Sequence, residues 1–229
     1  MADRSVLVTG GTGGLGTAVT AAFLAAGWRT VVPVRDPARA AHLPAGAVTT
    51  RADLTDPDQV EQAVAVAAQE PGAPLRAVVN LVGGFAAGRL VHETPVAEFE
   101  RMLELNLRPT YLVTAAGLPH LVAAGGGAVV CVSSRAAVSP FAGAAGYVTA
   151  KAAVLAFASA VAVEYRSAGV RCNTVLPSII DTPANRAAQP QADHSRWVRP
   201  AEIAAVVRFL ASDESAPTSG ATIPVYGRA

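Results

Sequence analysis

The stretch VTGGTGGLGTAV at residues 8–19 decides how this chain folds. A β-branched run, SVLVTG at 5–10, leads into its glycines, and residues of helical composition follow them. Glycines at 10, 14 and 16 allow a tight turn, a close approach of phosphate oxygens to the backbone, and close packing of the helix on the strand. The N–H groups that open the helix would face those phosphates. The stretch therefore predicts a phosphate-binding crossover after the first strand.

Strand-like and helix-like segments alternate along the rest of the chain. Further predicted strands lie at 29–34, 47–50, 75–83, 127–134, 170–177 and 221–227. Predicted helices lie at 15–26, 57–69, 95–104, 107–124, 146–168 and 200–212. The strands are mostly apolar, as expected where helices cover both faces of a sheet. We therefore predict an α/β fold, a single doubly wound domain of Rossmann type over residues 1–229, with about seven parallel strands.

The composition argues against several classes of protein. The net charge of the 229 residues is +1, without a basic block, so neither nucleic acid nor an anionic membrane is expected as a partner. No apolar run reaches the roughly 20 residues that a membrane span needs, and the start has no signal-peptide layout. Cys131 and Cys172 have no partner spacing, and the four histidines share no ligand spacing. We expect no disulfide, no metal and a cytoplasmic location.

The end of the second predicted strand bears on the choice of a dinucleotide. An acidic residue here binds the ribose 2′-hydroxyl of NAD, whereas a basic residue accepts the 2′-phosphate of NADP. The sequence reads Val34, Arg35, Asp36, and we align Val34 with the usual acidic position. Arg35 then favours NADP(H). NAD(H) is the alternative if Asp36 reaches the ribose, although Asp36 precedes a proline and equally suits a helix cap.

Several motifs occur together in a fixed order. TGGTGGLG at 9–16 fits the pattern TGxxxGxG, and YVTAK at 147–151 fits YxxxK. Ser134 stands thirteen residues before Tyr147, LELNL supplies Asn106, and VLPSIIDTP follows the sixth predicted strand. In these features the chain resembles the short-chain dehydrogenase/reductase family over essentially its whole length.

Two positions depart from the pattern of that family. VNLVGG keeps Asn80 and Gly83, but Leu81 stands where the family usually has a second asparagine. Ser178 replaces the glycine that normally follows the proline of VLP. Both positions support the backbone, so we expect the chemistry to survive them.

The resemblance implies a catalytic group of four residues. Tyr147 would pass a proton to a carbonyl oxygen, and Ser134 would polarise that oxygen. Lys151, on the same helix face as Tyr147, would hold the nicotinamide ribose and lower the pKa of the phenol. Asn106 would interrupt its helix and hold a water that links Lys151 to solvent.

The resemblance also implies which residues bind the dinucleotide. They are Gly10, Thr12, Gly13, Gly14, Leu15, Gly16, Arg35, Asp53, Leu54, Asn80, Gly83, Tyr147, Lys151, Pro177, Ile179, Ile180 and Thr182. The role of Asp53 stays open, because the family's acidic residue at this place contacts the adenine, whereas a capping carboxylate would be purely structural.

The longest irregular segment, residues 183–199, is the predicted substrate loop. It resembles the matching segment of dihydropteridine reductases, although its TPANR stretch equally suits an architectural role with Trp197 fixing the loop. Candidate pocket residues are Phe85, Arg135, Phe141, Ile179, Asn185 and Trp197. Most are apolar or aromatic, which suits a flat or hydrophobic carbonyl compound.

Three functions remain open from the sequence. The resemblance implies NADP(H)-dependent interconversion of a small-molecule carbonyl and alcohol. The alternatives are reduction of a C=N bond in a quinonoid pterin or imine, and dinucleotide sensing without turnover. The family also implies a homo-oligomer, a tetramer or dimer joined through the helices around 107–124 and 146–168.

Overall fold

Seven parallel strands form one sheet in the computed structural model of the chain, which describes residues 2–228. The strands are β1 (Ser5–Thr9), β2 (Arg29–Val34), β3 (Val48–Arg51), β4 (Leu75–Asn80), β5 (Gly127–Val132), β6 (Val170–Pro177) and β7 (Thr222–Val225). Their order is β3-β2-β1-β4-β5-β6-β7, and all neighbouring pairs are parallel. The strand order reverses between β1 and β4, where such sheets open a crevice for ligands. The predicted doubly wound α/β fold is confirmed.

Seven α-helices connect the strands, one more than the sequence predicted. They are α1 (Gly14–Ala25), α2 (Pro57–Ala68), α3 (Val96–Asn106), α4 (Arg108–Ala123), α5 (Ala145–Glu164), α6 (Pro183–Ala188) and α7 (Pro200–Ala211). The expectation that 183–199 is irregular was wrong at its start, because α6 lies there. Thr182 caps α6 by accepting a hydrogen bond from the Asn185 N–H at 3.2 Å, and Pro183 occupies its first turn. A six-residue helix is too short to show a periodic pattern.

The sheet separates two apolar cores, because successive side chains of a strand point to opposite faces. Val6 and Val8 of β1 pack with α1 and α7, whereas Leu7 between them packs with α2, α4 and α5. Helix α1 lies directly against α7, so Phe23 shares a core with Ile203. Every residue of β1 is buried, as the apolar strand sequences indicated.

Helix α5 runs for 20 residues and is long and apolar enough, by length and composition alone, to cross a membrane. No membrane span was predicted from the sequence. Helix α5 packs against α3 and β6 and carries the buried Lys151, as a core helix of the fold does.

Candidate active site

The glycine turn after β1 is shaped by steric constraints that only glycine meets. Gly10 has φ of +67°, in the left-handed region. A Cβ on Gly16 would overlap the carbonyl oxygen of Gly10, so helix and turn touch there. A Cβ on Gly14 would lie 2.7 Å from Cγ2 of Thr182, which shows that the turn meets the segment after β6.

This turn fits the pyrophosphate of a dinucleotide. The cap residue of α1 is Gly13, which has no side chain to occupy the first N–H groups, and the first turn of α1 holds no acidic residue. A phosphate there would accept hydrogen bonds from the backbone and lie at the positive end of the helix dipole. The turn that the sequence predicted to bind phosphate is thus formed by Gly10, Gly13, Gly14 and Gly16.

The end of β2 favours Arg35 over Asp36 as the residue that faces a dinucleotide. The Asp36 carboxylate accepts a hydrogen bond from the Ala38 N–H at 3.0 Å and caps a short 3₁₀ helix. Val34 is buried, whereas Arg35 is exposed. Hydrogen bonds from the backbone and hydroxyl of Thr55 lower the pKa of Asp53, and the nearby charge of Arg35 lowers it further. At this strand end the Asp36 carboxylate is thus engaged in a cap, and the charge of Arg35 acts on Asp53.

Tyr147 and Ser134 come together at the carboxyl end of β5. The last residue before the strand-end turn is Ser134, which caps a 3₁₀ turn by accepting a hydrogen bond from the Ala136 N–H at 3.2 Å. An interaction with the Ser134 side chain lowers the pKa of Tyr147, so the two side chains are neighbours. Phe85 packs edge-on against the Tyr147 ring with 5.0 Å between ring centroids.

Lys151 is buried one turn along α5 from Tyr147. Its ammonium donates a hydrogen bond to the carbonyl oxygen of Val132 at 3.2 Å. The backbone carbonyl of Lys151 accepts a hydrogen bond from the Ser133 hydroxyl at 2.7 Å. Ser133 is thus a positioning residue that was not predicted from the sequence. A serine that directly extends a buried strand could have indicated it, because the Ser133 N–H still donates to the carbonyl oxygen of Val175 in β6.

Burial shifts the pKa of both groups on α5. Desolvation lowers the pKa of Lys151 to about 8. Desolvation also raises the pKa of Tyr147, and the Ser134 side chain opposes it. The prediction that Lys151 lowers the pKa of this phenol is not met in this structure, because the ammonium is directed to Val132 and the loss of water around the phenol dominates.

Asn106 holds the backbone of the loop after β4. Its amide donates to the carbonyl oxygens of Gly84 and Met102 at 3.1 and 2.9 Å, and its Oδ1 accepts from the Gly84 N–H at 3.2 Å. Helix α3 ends at Asn106, so the predicted interruption is confirmed. A Cβ on Gly83 would lie 2.6 Å from Asn106 Oδ1 and 3.0 Å from Lys151 Nζ, so Gly83 separates the two side chains.

The two departures from the family pattern have structural explanations. Leu81 packs against the core shared by α1 and α7. Ser178 donates a hydrogen bond to the carbonyl oxygen of Tyr226 at 2.7 Å and fixes the segment after β7. Asn80 lies beneath the crevice rather than open to it, since it is buried and its amide donates to Thr114 Oγ1 at 2.9 Å.

The remaining residues predicted to contact the dinucleotide differ in where they pack and in how exposed they are. Thr12 and Leu15 lie in or next to the glycine turn, and Leu15 packs against the α1–α7 core. Leu54 packs against the opposite core. Pro177 ends β6 and is buried, while Ile179 is partly exposed beside it. Ile180 pairs with Val198 across an isolated bridge.

The TPANR stretch forms an architectural unit. Asn185 donates a hydrogen bond to the carbonyl oxygen of Ile180 at 2.8 Å, and Arg186 pairs with Asp181, with 2.9 Å between Nη2 and Oδ2. Asn185 was predicted to line the substrate pocket; its amide instead braces the start of α6. This supports the architectural alternative that the sequence left open.

Two more predicted pocket residues serve other contacts. Trp197 is buried and packs on His194 with 4.3 Å between ring centroids. Arg135 stacks on the ring of Tyr226, with its guanidinium carbon 5.1 Å from the ring centroid. The contact of Tyr226 with Arg135 was not predicted, because nothing in the sequence distinguishes a tyrosine that follows a short last strand. Phe85, Phe141 and Ile179 are the exposed pocket candidates, and Phe85, which packs on Tyr147, lies 6.4 Å from Phe141 between ring centroids.

Comparison with known proteins agrees with this geometry. The family model for short chain dehydrogenases matches residues 4–193. The chain is 33% identical over 246 residues to 2-(R)-hydroxypropyl-CoM dehydrogenase of Xanthobacter autotrophicus, covering 98% of each protein. It is 32% identical over 233 residues to the 3-oxoacyl-[acyl-carrier-protein] reductase MabA of Mycobacterium tuberculosis, covering 98% of this chain and 92% of that protein.

A solved structure shares the fold along the whole chain. A short-chain type dehydrogenase/reductase from Mycobacterium ulcerans superposes with a TM-score of 0.92 at 27% identity, covering 100% of this chain and 90% of that one. The chain therefore belongs to the short-chain dehydrogenase/reductase family, whose members are NAD(P)-dependent oxidoreductases.

Proposed function

We propose that the protein interconverts a small-molecule carbonyl and its alcohol, and that it prefers NADP(H). The observation that carries this proposal is that Tyr147 neighbours Ser134 and lies one helical turn from the buried Lys151, at the same sheet edge as the glycine turn. When bound, the reduced dinucleotide supplies the hydride for the carbonyl carbon.

Residues of the chain itself would donate the proton and polarise the carbonyl oxygen. A raised pKa keeps Tyr147 Oη protonated at neutral pH, which is the form that donates a proton to the carbonyl oxygen. Ser134 would donate a hydrogen bond to the same oxygen and polarise the bond. Lys151, with a pKa of about 8, is mostly cationic at pH 7 and would hold the nicotinamide ribose.

The exposed aromatic rings indicate the class of substrate. Phe85 and Phe141 are 64% and 50% exposed beside Tyr147, so an apolar or flat carbonyl compound would cover them. The contacts of the TPANR stretch are met within the protein, so we infer no pterin substrate from it.

The activity of the Tyr147→Phe variant tests whether Tyr147 donates the proton. NADPH binding, followed by nicotinamide fluorescence, should persist, while reduction of a ketone panel falls by about 10²-fold or more. Tyr165→Phe removes a hydroxyl at the other end of α5 and is the matched control. Unchanged ketone turnover in Tyr147→Phe would refute the proposed role. Turnover of a quinonoid dihydropterin in place of ketones would move the assignment to C=N reduction.

The preference for NADP(H) depends on Arg35. Arg35→Gln should weaken NADPH binding by about 10- to 100-fold and leave NADH binding unchanged, because a charge-assisted hydrogen bond contributes about 1.5–3 kcal/mol. Arg101→Gln, an exposed arginine on α3, is the control for loss of charge. A wild-type protein that binds NADH more tightly than NADPH would contradict this assignment.

We propose two further properties that follow from the family and the surface. The protein is a homo-oligomer joined through α4 and α5, which is supported by exposed apolar side chains on both helices, including Tyr111 and Val163. It functions in the cytoplasm, which the free, buried Cys131 and Cys172 support.

A further inference from the structure

A second depression, of about 480 Å³, lies at the edge of the sheet opposite to the glycine turn. The first residues of β5 and β6, Gly127 and Val170, line it, whereas Ser134 and the segment after Pro177 follow the other ends of these strands. The eight residues of β6 span roughly 25 Å. This depression is therefore separate from the proposed active site.

Guanidinium groups dominate its lining. The charged residues that line it are Arg4, Arg76, Arg166, Arg171 and Asp213. Arg4 is already paired, with Asp3 at 2.9 Å and Asp213 at 3.3 Å. Four arginines against these two carboxylates leave a local charge of +2. Such an excess inside a concave surface attracts anions.

Two of these arginines are held in place by neutral acceptors rather than by carboxylates. Arg171 donates to the carbonyl oxygens of Leu210 and Ser212, each at 2.9 Å, and to Ser215 Oγ at 2.7 Å. Arg76 donates to the carbonyl oxygen of Ala124 at 2.7 Å. A guanidinium has five N–H donors, so both side chains are fixed in orientation while most of the donors of Arg76 remain available to a ligand.

The two fixed cations also lie near each other. Burial lowers the pKa of Arg171, the charge of Asp213 opposes that effect, and the charge of Arg76 adds to it. The protein therefore carries an electrostatic cost at this edge of the sheet. A bound anion that accepts hydrogen bonds from both guanidiniums would relieve it.

We propose that the depression formed by Arg76, Arg166, Arg171 and Arg4 is a binding site for a small molecule that carries a multiply charged phosphate group. Preorganised guanidinium forks match the oxygens of phosphate. The volume of about 480 Å³ is large enough for a phosphorylated compound of the size of pyrophosphate or larger.

Calorimetric titration with pyrophosphate at constant ionic strength tests the site. The Arg166 side chain is exposed and makes no hydrogen bond among the described residues, so Arg166→Gln should fold and should weaken binding by about fivefold. Asp213→Asn removes the carboxylate that competes with the ligand and should tighten binding by about threefold. Arg101→Gln removes the same charge on α3 and should change nothing.

Four results would overturn the proposal. The first is the absence of saturable binding to wild-type protein. The second is equal weakening by Arg166→Gln and Arg101→Gln, which would mean that only net charge matters. The third is loss of binding in Arg35→Gln alone, which would place the pyrophosphate at the dinucleotide crevice. Orthophosphate and citrate are the comparison ligands: binding of citrate as tight as that of pyrophosphate would contradict the phosphate class. These outcomes do not depend on catalytic activity.

Discussion

Ser133 and Ser134 are adjacent residues with different tasks. Ser133 is buried and tied to the backbone of α5, whereas Ser134 stands beside Tyr147 at the surface of the crevice. Period-two alternation in an extended segment sends the two side chains in opposite directions. The sequence alone predicts a catalytic serine at Ser134. Only the fold shows how the neighbouring Ser133 holds this segment against α5.

Alanine substitutions should separate the two serines. Ser133→Ala should lower the free energy of unfolding by about 1 kcal/mol, the typical contribution of one hydrogen bond, with a modest effect on kcat. Ser134→Ala loses only the longer bond that caps the 3₁₀ turn, so it should cost no more stability than Ser133→Ala. It should lower kcat by about 10²-fold, because a donor to the carbonyl oxygen is lost. Urea titration and steady-state kinetics measure both. The reverse pattern would show that Ser133 is the polarising residue.

Lys151 should make stability depend on pH in a defined direction. Its folded pKa of about 8 is below the ordinary value of 10.5. Below pH 8 both states hold the proton and the full cost of burying the cation is present. Between pH 8 and 10.5 the folded state releases the proton first, so stability should rise with pH, by roughly 3 kcal/mol in total.

Comparison with Lys151→Met isolates this effect. The difference in unfolding free energy between wild type and Lys151→Met should shift in favour of wild type as pH rises from 7 to 10, measured by urea titration without added dinucleotide. A difference that stays constant over this range would mean that the folded lysine keeps an ordinary pKa.

Among the elements, the loop after β4 is the one that joins separate parts of the site. Gly83 lies between Asn106 on α3 and Lys151 on α5, and Asn106 is fixed by its hydrogen bonds to Gly84 and Met102. No side chain fits at Gly83 without moving one of these two polar groups. The loop therefore sets the position of the ammonium.

A pair of glycine substitutions tests the loop. Gly83→Ala places a Cβ 2.6 Å from Asn106 Oδ1 and should lower kcat by about 10²-fold, since a displacement of about 1 Å in an active site has that effect. Gly84→Ala meets only the end of the flexible Leu105 side chain, at 2.9 Å, and should retain most activity. Equal activities would show that the loop yields without moving Lys151.

The elements also show what the sequence can predict. The β-branched runs and caps predicted all seven strands and most helix ends within a few residues, because burial on both faces leaves a clear local pattern. The motif spacing predicted that Ser134 and Tyr147 lie near each other, which the structure shows. The directions of Arg135, Asn185 and Trp197 were not, because they depend on partners such as Tyr226 and Ile180 that become neighbours only in the folded chain.

At the scale of the whole molecule, α4 and α5 present an apolar surface. Tyr111 and Val163 are 54% and 68% exposed, and Tyr111 packs edge-on against Phe157. Light scattering after size exclusion should therefore give the mass of a dimer or tetramer. Val163→Arg should shift the mass toward a monomer, whereas Val96→Arg, at an exposed valine on α3, should not. A monomeric wild-type protein would contradict the proposed assembly.

The direct contact between α1 and α7 has a consequence for biosynthesis. Helix α1 is translated before α7, and Ile203 on α7, which shares a core with Val19 and Phe23, follows Phe23 by about 180 residues. At ordinary elongation rates the interval is on the order of ten to forty seconds. During that time the apolar face of α1 stays exposed on the nascent chain. We therefore expect chaperones to bind truncated or stalled products of this chain in the cell.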